Sequence, residues 1–337
     1  IAVIRQNGNI SVHTENIFPI IKRWLYSDKD IFFRELVSNA CDAINKLKKL
    51  NSIGEADVSE DTKYEVKVIL DKDNKTIQIV DNGIGMTEEE IKKYINQVAF
   101  SGAEDFIARY KDKVDEGSQI IGHFGLGFYS AFMVSDRVEI DTLSYQKGAE
   151  AVSWSCAGGT EYELNSSDRR HRGTTITLHI AEDSVEFLEE FKAREILVKY
   201  CSFLPVEIYL ENVQAKQQEA KASDEKDAKE PEQPKPINDT NPLWLKKPMD
   251  CTDEEYKEFY RKVFHDFNEP LFWIHLNVDY PFNLKGILYF PKLKHEFESI
   301  EGQIKLFNNQ VFVADNIKEV IPEFLMLLKG VLDCPDL

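Results

Sequence analysis

Residues 31–50 read IFFRELVSNACDAINKLKKL. Apolar residues recur in this stretch at helical spacing, and the preceding Ser27-Asp28-Lys29-Asp30 resembles a capping box, so we predict a long helix here. Successive residues of a helix are about 100° apart, which brings Glu35, Asn39 and Asp42 within about 60° of one another. The neighbouring face carries an apolar stripe, formed by Leu36, Ala40, Ala43 and Leu47.

The polar row on this helix has two interpretations. Acidic residues on a helix usually form a solvated face. Asn39, however, supplies an amide oxygen of the kind that Mg²⁺ accepts beside phosphate oxygens and waters. Glu35 lies one turn away and could polarise a water molecule for in-line attack on phosphorus. The helix alone leaves both interpretations open, and the motifs that follow favour the second.

A second motif, Val80-Asp81-Asn82-Gly83-Ile84-Gly85-Met86, follows directly after a predicted strand. Its two glycines allow a tight bend and a close approach of the backbone to a flat ligand. Asp81 is a hydrogen-bond acceptor for an exocyclic amine, and Met86 offers an adaptable apolar surface for a ring. Taken alone, the motif is equally consistent with an ordinary Asp-Asn-Gly turn.

A third motif, Gly122-His123-Phe124-Gly125-Leu126-Gly127-Phe128, runs into the apolar stretch Tyr129–Val134, which we predict to be a helix. Backbone N–H groups at a glycine-rich helix start form an anion-binding nest, which the helix dipole reinforces. No Gly-Lys-Ser or Gly-Lys-Thr follows, so the motif is not a Walker loop. A flexible loop that enters a buried helix is the alternative.

A long segment, Asn96–Ile121, separates the second and third motifs. It has small residues near both ends, Ser101-Gly102-Ala103 and Gly117-Ser118. Such a segment beside a phosphate-binding loop predicts a lid that closes over a ligand. A surface insertion without this role is the alternative.

Hydrophobic patterns divide the chain into domains over residues 1–210 and 241–337. Residues 211–240 between them are rich in Glu, Lys, Ala, Gln and Pro without hydrophobic periodicity, and we predict a disordered charged linker. An exposed helix over Ala215–Lys229 is the alternative for part of it. Runs of strands between helices predict that the first domain is a two-layer α/β sandwich with a mainly antiparallel sheet. Its strands are expected at Lys63–Leu70, Thr76–Val80, Arg137–Ser144, Ala151–Ala157, Glu161–Leu164 and Thr174–Ile180.

Two further helices are predicted from local signals. Thr87-Glu88-Glu89-Glu90 caps one in the first domain, and Asp253–Phe267 forms another at the start of the second. The second domain is a smaller α/β unit, with strands at Trp273–Asp279, Gly286–Phe290 and Ile304–Val313 and a helix at Glu323–Lys329.

The composition restricts the functional classes. The 337 residues include 59 acidic and 41 basic side chains, so the formal net charge is −18, which disfavours binding to a nucleic-acid backbone. Hydrophobic residues make up 42%, enough for real cores. The five cysteines are scattered without a Cys-x-x-Cys pair, and no apolar run approaches the ~18 residues of a membrane span. The chain starts at Ile1 without methionine, and we expect it to be a fragment.

Together the three motifs resemble the N, G1 and G2 boxes of the GHKL ATPases, a superfamily with a Bergerat-type ATP fold. Phe32-Phe33-Arg34-Glu35 and Gly127-Phe128-Tyr129-Ser130 are similar to the branch of ninety-kilodalton heat-shock chaperones. The second domain resembles the start of that branch's middle domain, at Asn241-Pro242-Leu243-Trp244, Glu269-Pro270-Leu271-Phe272, Gly286–Pro291 and Gln310–Asp315. The resemblance covers almost the whole chain.

The resemblance implies roles for the motif residues. Glu35 would activate the hydrolytic water, and Asn39 would bind Mg²⁺ with the triphosphate of ATP. Asp81 would bind the adenine amine, and Met86 would pack on the base. The remaining nucleotide-binding positions implied are Asp42, Gly85, Ser101, Gly102, Gly122, Gly125, Gly127, Phe128 and Thr175, with a lid over residues 98–124.

Two residues depart from the family pattern, and two of its features would lie beyond this sequence. Phe100 stands where many relatives have a lysine that contacts the nucleotide, and His123 stands where many have glutamine. A middle-domain arginine that reaches the γ-phosphate in the family would follow Leu337, so we expect ATP binding with impaired turnover in this fragment. The dimerising C-terminal domain of the family would also follow.

The implied function is that of an ATP-dependent chaperone in the cytoplasm, which binds ATP or ADP and unfolded client proteins and forms a homodimer in its full-length form. No nucleic acid or membrane is expected as a partner. Phe267 and Trp273 are candidate client contacts, with a core or edge role as the alternative. A DNA-manipulating ATPase, a histidine kinase and a nucleotide-binding module without efficient turnover are the alternative functions. The charge disfavours the first of these, and only His13 precedes the N box as a phosphoacceptor for the second.

Overall fold

The computed structural model describes residues 28–59, 61–97, 106, 126–159, 161–217, 234–280, 283–292, 303–316 and 327–336. The first unit is built on a seven-stranded sheet with the order β5-β4-β3-β6-β2-β1-β7. Its strands are β1 Glu65–Asp71, β2 Thr76–Asp81, β3 Ser135–Leu143, β4 Val152–Cys156, β5 Tyr162–Ser166, β6 Gly173–Ile180 and β7 Glu207–Asn212. The α-helices of this unit are α1 Ile31–Ser52, α2 Glu88–Tyr94 and α3 Glu190–Cys201, and 3₁₀ helices span Gly127–Met133 and Glu182–Leu188.

The seven-stranded sheet is antiparallel at every junction except β1–β7, which is parallel. Alternation along β1 explains which face is buried, because Val66, Val68 and Leu70 are inaccessible while the residues between them are half-buried. The inaccessible side chains pack with those of α1 in one apolar core. The predicted two-layer α/β sandwich with a mainly antiparallel sheet is therefore confirmed.

Helix α1 lies at the centre of this core and follows the predicted stretch closely. Its buried residues recur at helical spacing, and they include Phe33, Leu36, Ala40 and Leu47. Asp30 occupies the N-cap position, but its side chain makes no capping hydrogen bond. Instead its carboxylate accepts hydrogen bonds from Tyr200 and Lys199 of α3, and Ser27, the first residue of the predicted capping box, lies outside the described residues.

The capping box predicted at Thr87 is confirmed. The Thr87 hydroxyl accepts a hydrogen bond from the Glu90 backbone, and the Glu90 carboxylate accepts one from the Thr87 backbone, so two of the free N–H groups at the start of α2 are satisfied.

The second unit has a five-stranded sheet with the order β11-β10-β12-β9-β8. Its elements are α4 Asp253–Phe264, β8 Phe272–Val278, β9 Leu284–Phe290, β10 Gln303–Asn308, β11 Val311–Asp315 and β12 Lys329–Asp333, with 3₁₀ turns at Leu243–Leu245 and Pro248–Asp250. The sheet is antiparallel except for the β10–β12 pair.

Two predictions for the second unit are wrong in part. The stretch predicted as one strand, Ile304–Val313, is a hairpin, because Asn309 and Gln310 adopt φ angles of 49° and 68° and reverse the chain. Of the helix predicted at Glu323–Lys329, Lys329 belongs to β12, and the rest lies mostly outside the described residues.

The predicted linker, residues 211–240, is shorter at both ends than expected. Its first two residues complete β7 through pairing with β1. Near the other end, the Ile237 backbone donates to the Ile208 carbonyl, and the Asn238 side chain bonds to β7 and to the turn before it. The middle of the linker, residues 218–233, lies outside the described residues.

Aromatic side chains join the two units. Phe203, just after α3, packs edge-on against Trp244 with the ring centroids 4.6 Å apart, and it also contacts Phe307 of β10. The Trp244 ring is buried, and its Nε1–H donates to Asp333.

Candidate nucleotide site

Asp81, the last residue of β2, lies at the bottom of the candidate site. Its side chain is only 6% exposed, and one carboxylate oxygen accepts a hydrogen bond from the Gly83 backbone at 2.8 Å. Burial raises the pKa of Asp81 to about 7, although backbone hydrogen bonds from Gly83 and Thr174 and the charges of Arg169 and Arg172 act in the opposite direction. The carboxylate is thus a buried acceptor with unused capacity.

The turn after Asp81 fits closely against α1 and β3. A Cβ atom on Gly83 would lie 2.6 Å from the backbone of Ala43 on α1. Gly85 has a φ of +61°, and a Cβ there would lie 1.9 Å from the carbonyl oxygen of Leu143. Both glycines of the motif are therefore required by close approach to the protein's own backbone at Ala43 and Leu143, whereas the sequence pattern predicted a tight bend and a close approach to a ligand.

Arg172 stabilises the turn after Asp81 through its guanidinium. Its guanidinium donates to the carbonyl oxygens of Asn82 and Gly83, at 3.0 to 3.3 Å. Met86 is anchored by its own backbone N–H, which donates to the Thr142 hydroxyl at 3.0 Å. No local sequence signal predicts the Arg172 contact, because Arg172 and the turn are about 90 residues apart in the chain.

Thr175, predicted as a nucleotide-binding residue, does not lie opposite Asp81 in the sheet. Cross-strand pairing puts Asp81 opposite Thr174, and Thr174 opposite Thr142. The Thr174 and Thr142 hydroxyl oxygens lie 3.0 Å apart in the buried layer. Side chains alternate across a strand, so Thr175 points to the opposite face, where it accepts a hydrogen bond from Arg169. Thr174 is therefore the threonine that lies on the same side of the sheet as Asp81.

The polar row of α1 faces the start of the 127–133 helix. Glu35 is about one-fifth exposed, and a Cβ on Gly127 would lie 2.5 Å from its Oε2, so the carboxylate rests directly against the Gly127 backbone. Its Oε1 accepts two hydrogen bonds from the Arg34 guanidinium, at 2.6 and 3.0 Å. Sequence reasoning overlooked Arg34.

Asn39 is half-buried, and its amide makes no hydrogen bond with the part of the chain that the structure describes. Asp42, one turn further, is buried and lies near Lys46. Burial lowers the pKa of Lys46, and the nearby carboxylates of Asp42 and Glu90 act in the opposite direction. The polar row of α1 therefore combines the Asn39 amide, which is available to a ligand, with the buried Asp42 carboxylate, which is partly compensated by Lys46.

The third motif is described only from Leu126 onward. The apolar stretch Tyr129–Val134, predicted as a helix, belongs to the 3₁₀ helix Gly127–Met133, in which Phe128 is buried and packs edge-on against Trp154 with the ring centroids 5.8 Å apart. The other predicted residues of this region lie outside the described residues, namely Phe100, Ser101, Gly102, Gly122, His123 and Gly125, with all of the lid 98–124 except residue 106.

Mg²⁺ tends to retain several waters and to be held by substrate phosphates with one or two protein oxygens. The available amide oxygen of Asn39 fits that mode of binding. Within the described residues, no cluster of three or more His, Cys, Asp or Glu side chains could hold a metal ion. No helix in the same residues is long and apolar enough to cross a membrane.

Comparison with known proteins gives two family matches. The family described as "Histidine kinase-, DNA gyrase B-, and HSP90-like ATPase" matches residues 32–184, and "Hsp90 protein" matches residues 214–337. The chain is 54% identical over 334 residues to Chaperone protein HtpG of Bacteroides fragilis and 52% identical over 332 residues to that of Porphyromonas gingivalis. Each alignment covers 98% of this chain and 47% of the relative. Chaperone protein HtpG of Coxiella burnetii is 35% identical over 333 residues, covering 98% of this chain and 52% of the relative. The chain thus spans about half the length of these relatives.

Proposed function

Because the chain belongs to the Hsp90 family, we propose that it binds ATP between α1, the turn after β2 and the start of the 127–133 helix, and that it hydrolyses ATP as part of a chaperone. The observation that chiefly supports this is Asp81, a buried carboxylate at a strand end with unused acceptor capacity. Two backbone donors, from Gly83 and Thr174, do not offset the cost of burying this carboxylate, and a further donor from a ligand would stabilise its charged form.

Asp81 would accept a hydrogen bond from the exocyclic amine of adenine. Guanine carries a carbonyl at that position, which would face the lone pairs of the carboxylate, so we expect selectivity for adenine nucleotides. Thr174 and the backbone of Gly85 would take part through ordered water, and Met86 would pack on the base. Arg172 would keep the turn in the conformation that allows this approach.

Glu35 would position the attacking water and accept its proton. Its Oε1 is occupied by Arg34, so Oε2, which lies against Gly127, would be the oxygen that acts on the water beside the phosphates. Asn39 would hold Mg²⁺ together with the phosphate oxygens, and the ion would neutralise charge that develops on them. The backbone around Gly127 and Phe128 would bind phosphate.

Replacing Glu35 with alanine separates binding from hydrolysis. We expect Glu35→Ala to retain magnesium-dependent ATP affinity within about threefold, while single-turnover hydrolysis falls by at least about 100-fold, as for loss of a general base. Titration calorimetry measures the first quantity and quenched-flow assays the second. Glu186→Ala, at an exposed position on the 182–188 helix, is the matched control.

Equal loss of binding and hydrolysis in Glu35→Ala would contradict the role given to Glu35. ATP binding without any hydrolysis that depends on Glu35 would favour the alternative function, a nucleotide-binding module without efficient turnover. Failure of the wild-type chain to bind ATP would refute the proposal as a whole.

The chaperone part of the proposal concerns the whole protein. Nucleotide-dependent closure of a lid would remodel client proteins, with a homodimer formed through further domains and no nucleic acid or membrane as a partner. Phe267 is the better candidate for a client contact because it is 87% exposed, whereas Trp273 stacks on Tyr256 with centroids 5.0 Å apart. Five unpaired cysteines favour a reducing compartment such as the cytoplasm. ATP-dependent suppression of the aggregation of a denatured reporter protein by the full-length protein tests this part.

A further inference from the structure

The ion pair between Arg34 and Glu35 joins neighbours in the helix α1. Side chains at successive helical positions diverge by about 100° and do not normally face each other. Here two nitrogens of Arg34, Nη2 and Nε, donate to the same oxygen of Glu35, Oε1, at 2.6 and 3.0 Å. A further contact must therefore hold the Arg34 guanidinium in this unusual direction.

That contact is the ring of Tyr200 on α3. The Arg34 guanidinium carbon lies 5.9 Å from the ring centroid, within the range of a cation–π interaction. Tyr200 is itself fixed, since only 5% of it is exposed and its hydroxyl donates to Asp30 at 3.1 Å. Lys199 also donates to Asp30 and lies 4.4 Å from the centroid of the same ring. The last turn of α3 thus holds the first turn of α1.

The second unit completes this arrangement. Phe312 of β11 packs on the Tyr200 ring with centroids 6.0 Å apart, and it is buried. Lys305 of β10 lies 5.6 Å from the centroid of the Phe312 ring. A continuous chain of contacts therefore runs from the second sheet, through Phe312, Tyr200 and Arg34, to Oε1 of Glu35.

We propose that Tyr200 is a positioning residue for ATP hydrolysis, which couples the docking of the second unit, through Phe312, to the orientation of the Arg34–Glu35 pair. The proposal rests on the proposed function, because it takes Glu35 as the carboxylate that acts on the attacking water. With Tyr200 and Phe312 in place, Oε1 is held by Arg34 and Oε2 is directed at Gly127. Without them, Arg34 can leave Oε1 and the carboxylate rotates away from its productive direction.

The expected loss of hydrolysis rate follows from the sensitivity of catalysis to the position of the Glu35 carboxylate. A misplacement of about 1 Å can cost about 100-fold in rate, and loss of one of several restraints on Glu35 should cost about tenfold. Nucleotide affinity should change by less than about twofold, since Tyr200 touches none of the residues assigned to base binding. The effect should thus appear in kcat and not in the dissociation constant for ATP.

The test uses the 337-residue chain with Tyr200→Leu, Tyr200→Phe and Phe312→Leu. We expect Tyr200→Leu to lower kcat about tenfold and Phe312→Leu to lower it less, while Tyr200→Phe, which keeps the ring, stays within about twofold of wild type. The double variant Tyr200→Leu/Phe312→Leu should be no slower than Tyr200→Leu alone, because both substitutions break the same chain of contacts to Arg34. Phe264→Leu removes a buried ring of the second unit that packs on Tyr260 and Tyr289, and it controls for general destabilisation.

A second measurement reports on Arg34 directly, without turnover. In the wild-type chain the Arg34 Nε–H is bonded to Glu35 and should give a distinct ¹⁵N-detected signal, which Phe312→Leu should shift or broaden and Phe264→Leu should not. Wild-type kcat in folded Tyr200→Leu, or an Arg34 signal unchanged by Phe312→Leu, would overturn the proposal. If the wild-type chain shows no hydrolysis that depends on Glu35, the proposed function fails, and the Arg34 signal still decides this inference.

Discussion

The raised pKa of Asp81 predicts a specific pH dependence of nucleotide binding. With a pKa of about 7, about nine-tenths of Asp81 is ionised at pH 8, about half at pH 7 and about one-tenth at pH 6. Only the carboxylate form keeps both of its oxygens as acceptors for Gly83 and the adenine amine. Because apparent affinity scales with the competent fraction, the ATP affinity should fall about tenfold between pH 8 and pH 6.

Asp81→Asn isolates this effect from the protonation of the nucleotide. Calorimetric titrations with ADP and magnesium at pH 6, 7 and 8 should show weaker binding for Asp81→Asn at pH 8, and the ratio of the two dissociation constants should shrink about tenfold by pH 6. The phosphates titrate equally in both experiments, so the ratio cancels their contribution. Asp73→Asn, in the exposed turn between β1 and β2, is the control and should follow wild type at every pH.

The same group gives an independent check on the protein without nucleotide. The folded-state pKa of Asp81 is raised above the usual 3.8, so the fold favours the neutral acid, and its stability should decline as pH rises from about 4 to about 7. The difference in melting temperature between wild type and Asp81→Asn should grow over that range. A constant ratio of dissociation constants from pH 6 to 8, with parallel melting curves, would refute the assignment of a near-neutral pKa to Asp81.

Two further predictions concern the backbone at Gly85 and the titration of His275. Gly85→Ala should destabilise the fold by about 1–3 kcal/mol and abolish ADP binding, because Gly85 has a φ of +61° and the new Cβ would meet the Leu143 carbonyl. The control Gly148→Ala, with a φ of +81° and open space around it, should destabilise the fold less and leave ADP binding intact. Urea unfolding measures the stability and calorimetry the binding, and equal effects of the two substitutions would contradict the argument. Burial lowers the pKa of His275, whose Nε2 lies 3.3 Å from the Trp244 carbonyl, so its contribution to stability is present above about pH 6.5 and is lost as pH falls below that value. The difference in unfolding free energy between wild type and His275→Gln should therefore shrink between pH 7.5 and pH 5. A difference that stays constant over this range would contradict the prediction.

Local signals sufficed where one stretch of sequence determines the structure. The helix over residues 31–50 is predicted by its own periodicity, and the Thr87–Glu90 capping box by residues three positions apart. The two glycines after Asp81 are explained by backbone contacts that any side chain would obstruct. Helix α3 also shows helical spacing in its buried residues, Ala193, Ile196, Leu197 and Tyr200, although no side-chain cap marks its start.

Other features depend on register or on distant contacts. Thr174 and Thr175 are indistinguishable by type, and a shift of one residue along a strand exchanges the two faces of the sheet. Only the pairing of β6 with β2 and β3 assigns Thr174 to the side of Asp81. The hairpin after β10 depends on left-handed backbone at Asn309 and Gln310, and no glycine marks that turn.

The sheet itself explains how Asp81 can remain an acceptor although two arginines lie near it. Arg169 is on the opposite face, where its guanidinium bonds to Asp141 and Thr175, and Arg172 spends its donors on the carbonyls of the adjoining turn. Both lower the pKa of Asp81 through space, yet burial outweighs them. An arginine bonded directly to the carboxylate would stabilise the unliganded protein and remove the acceptor that adenine needs. Because both arginines act on Asp81 only through space, its pKa stays at about 7, and beside its two backbone donors the carboxylate keeps acceptor sites that the proposed ligand would fill.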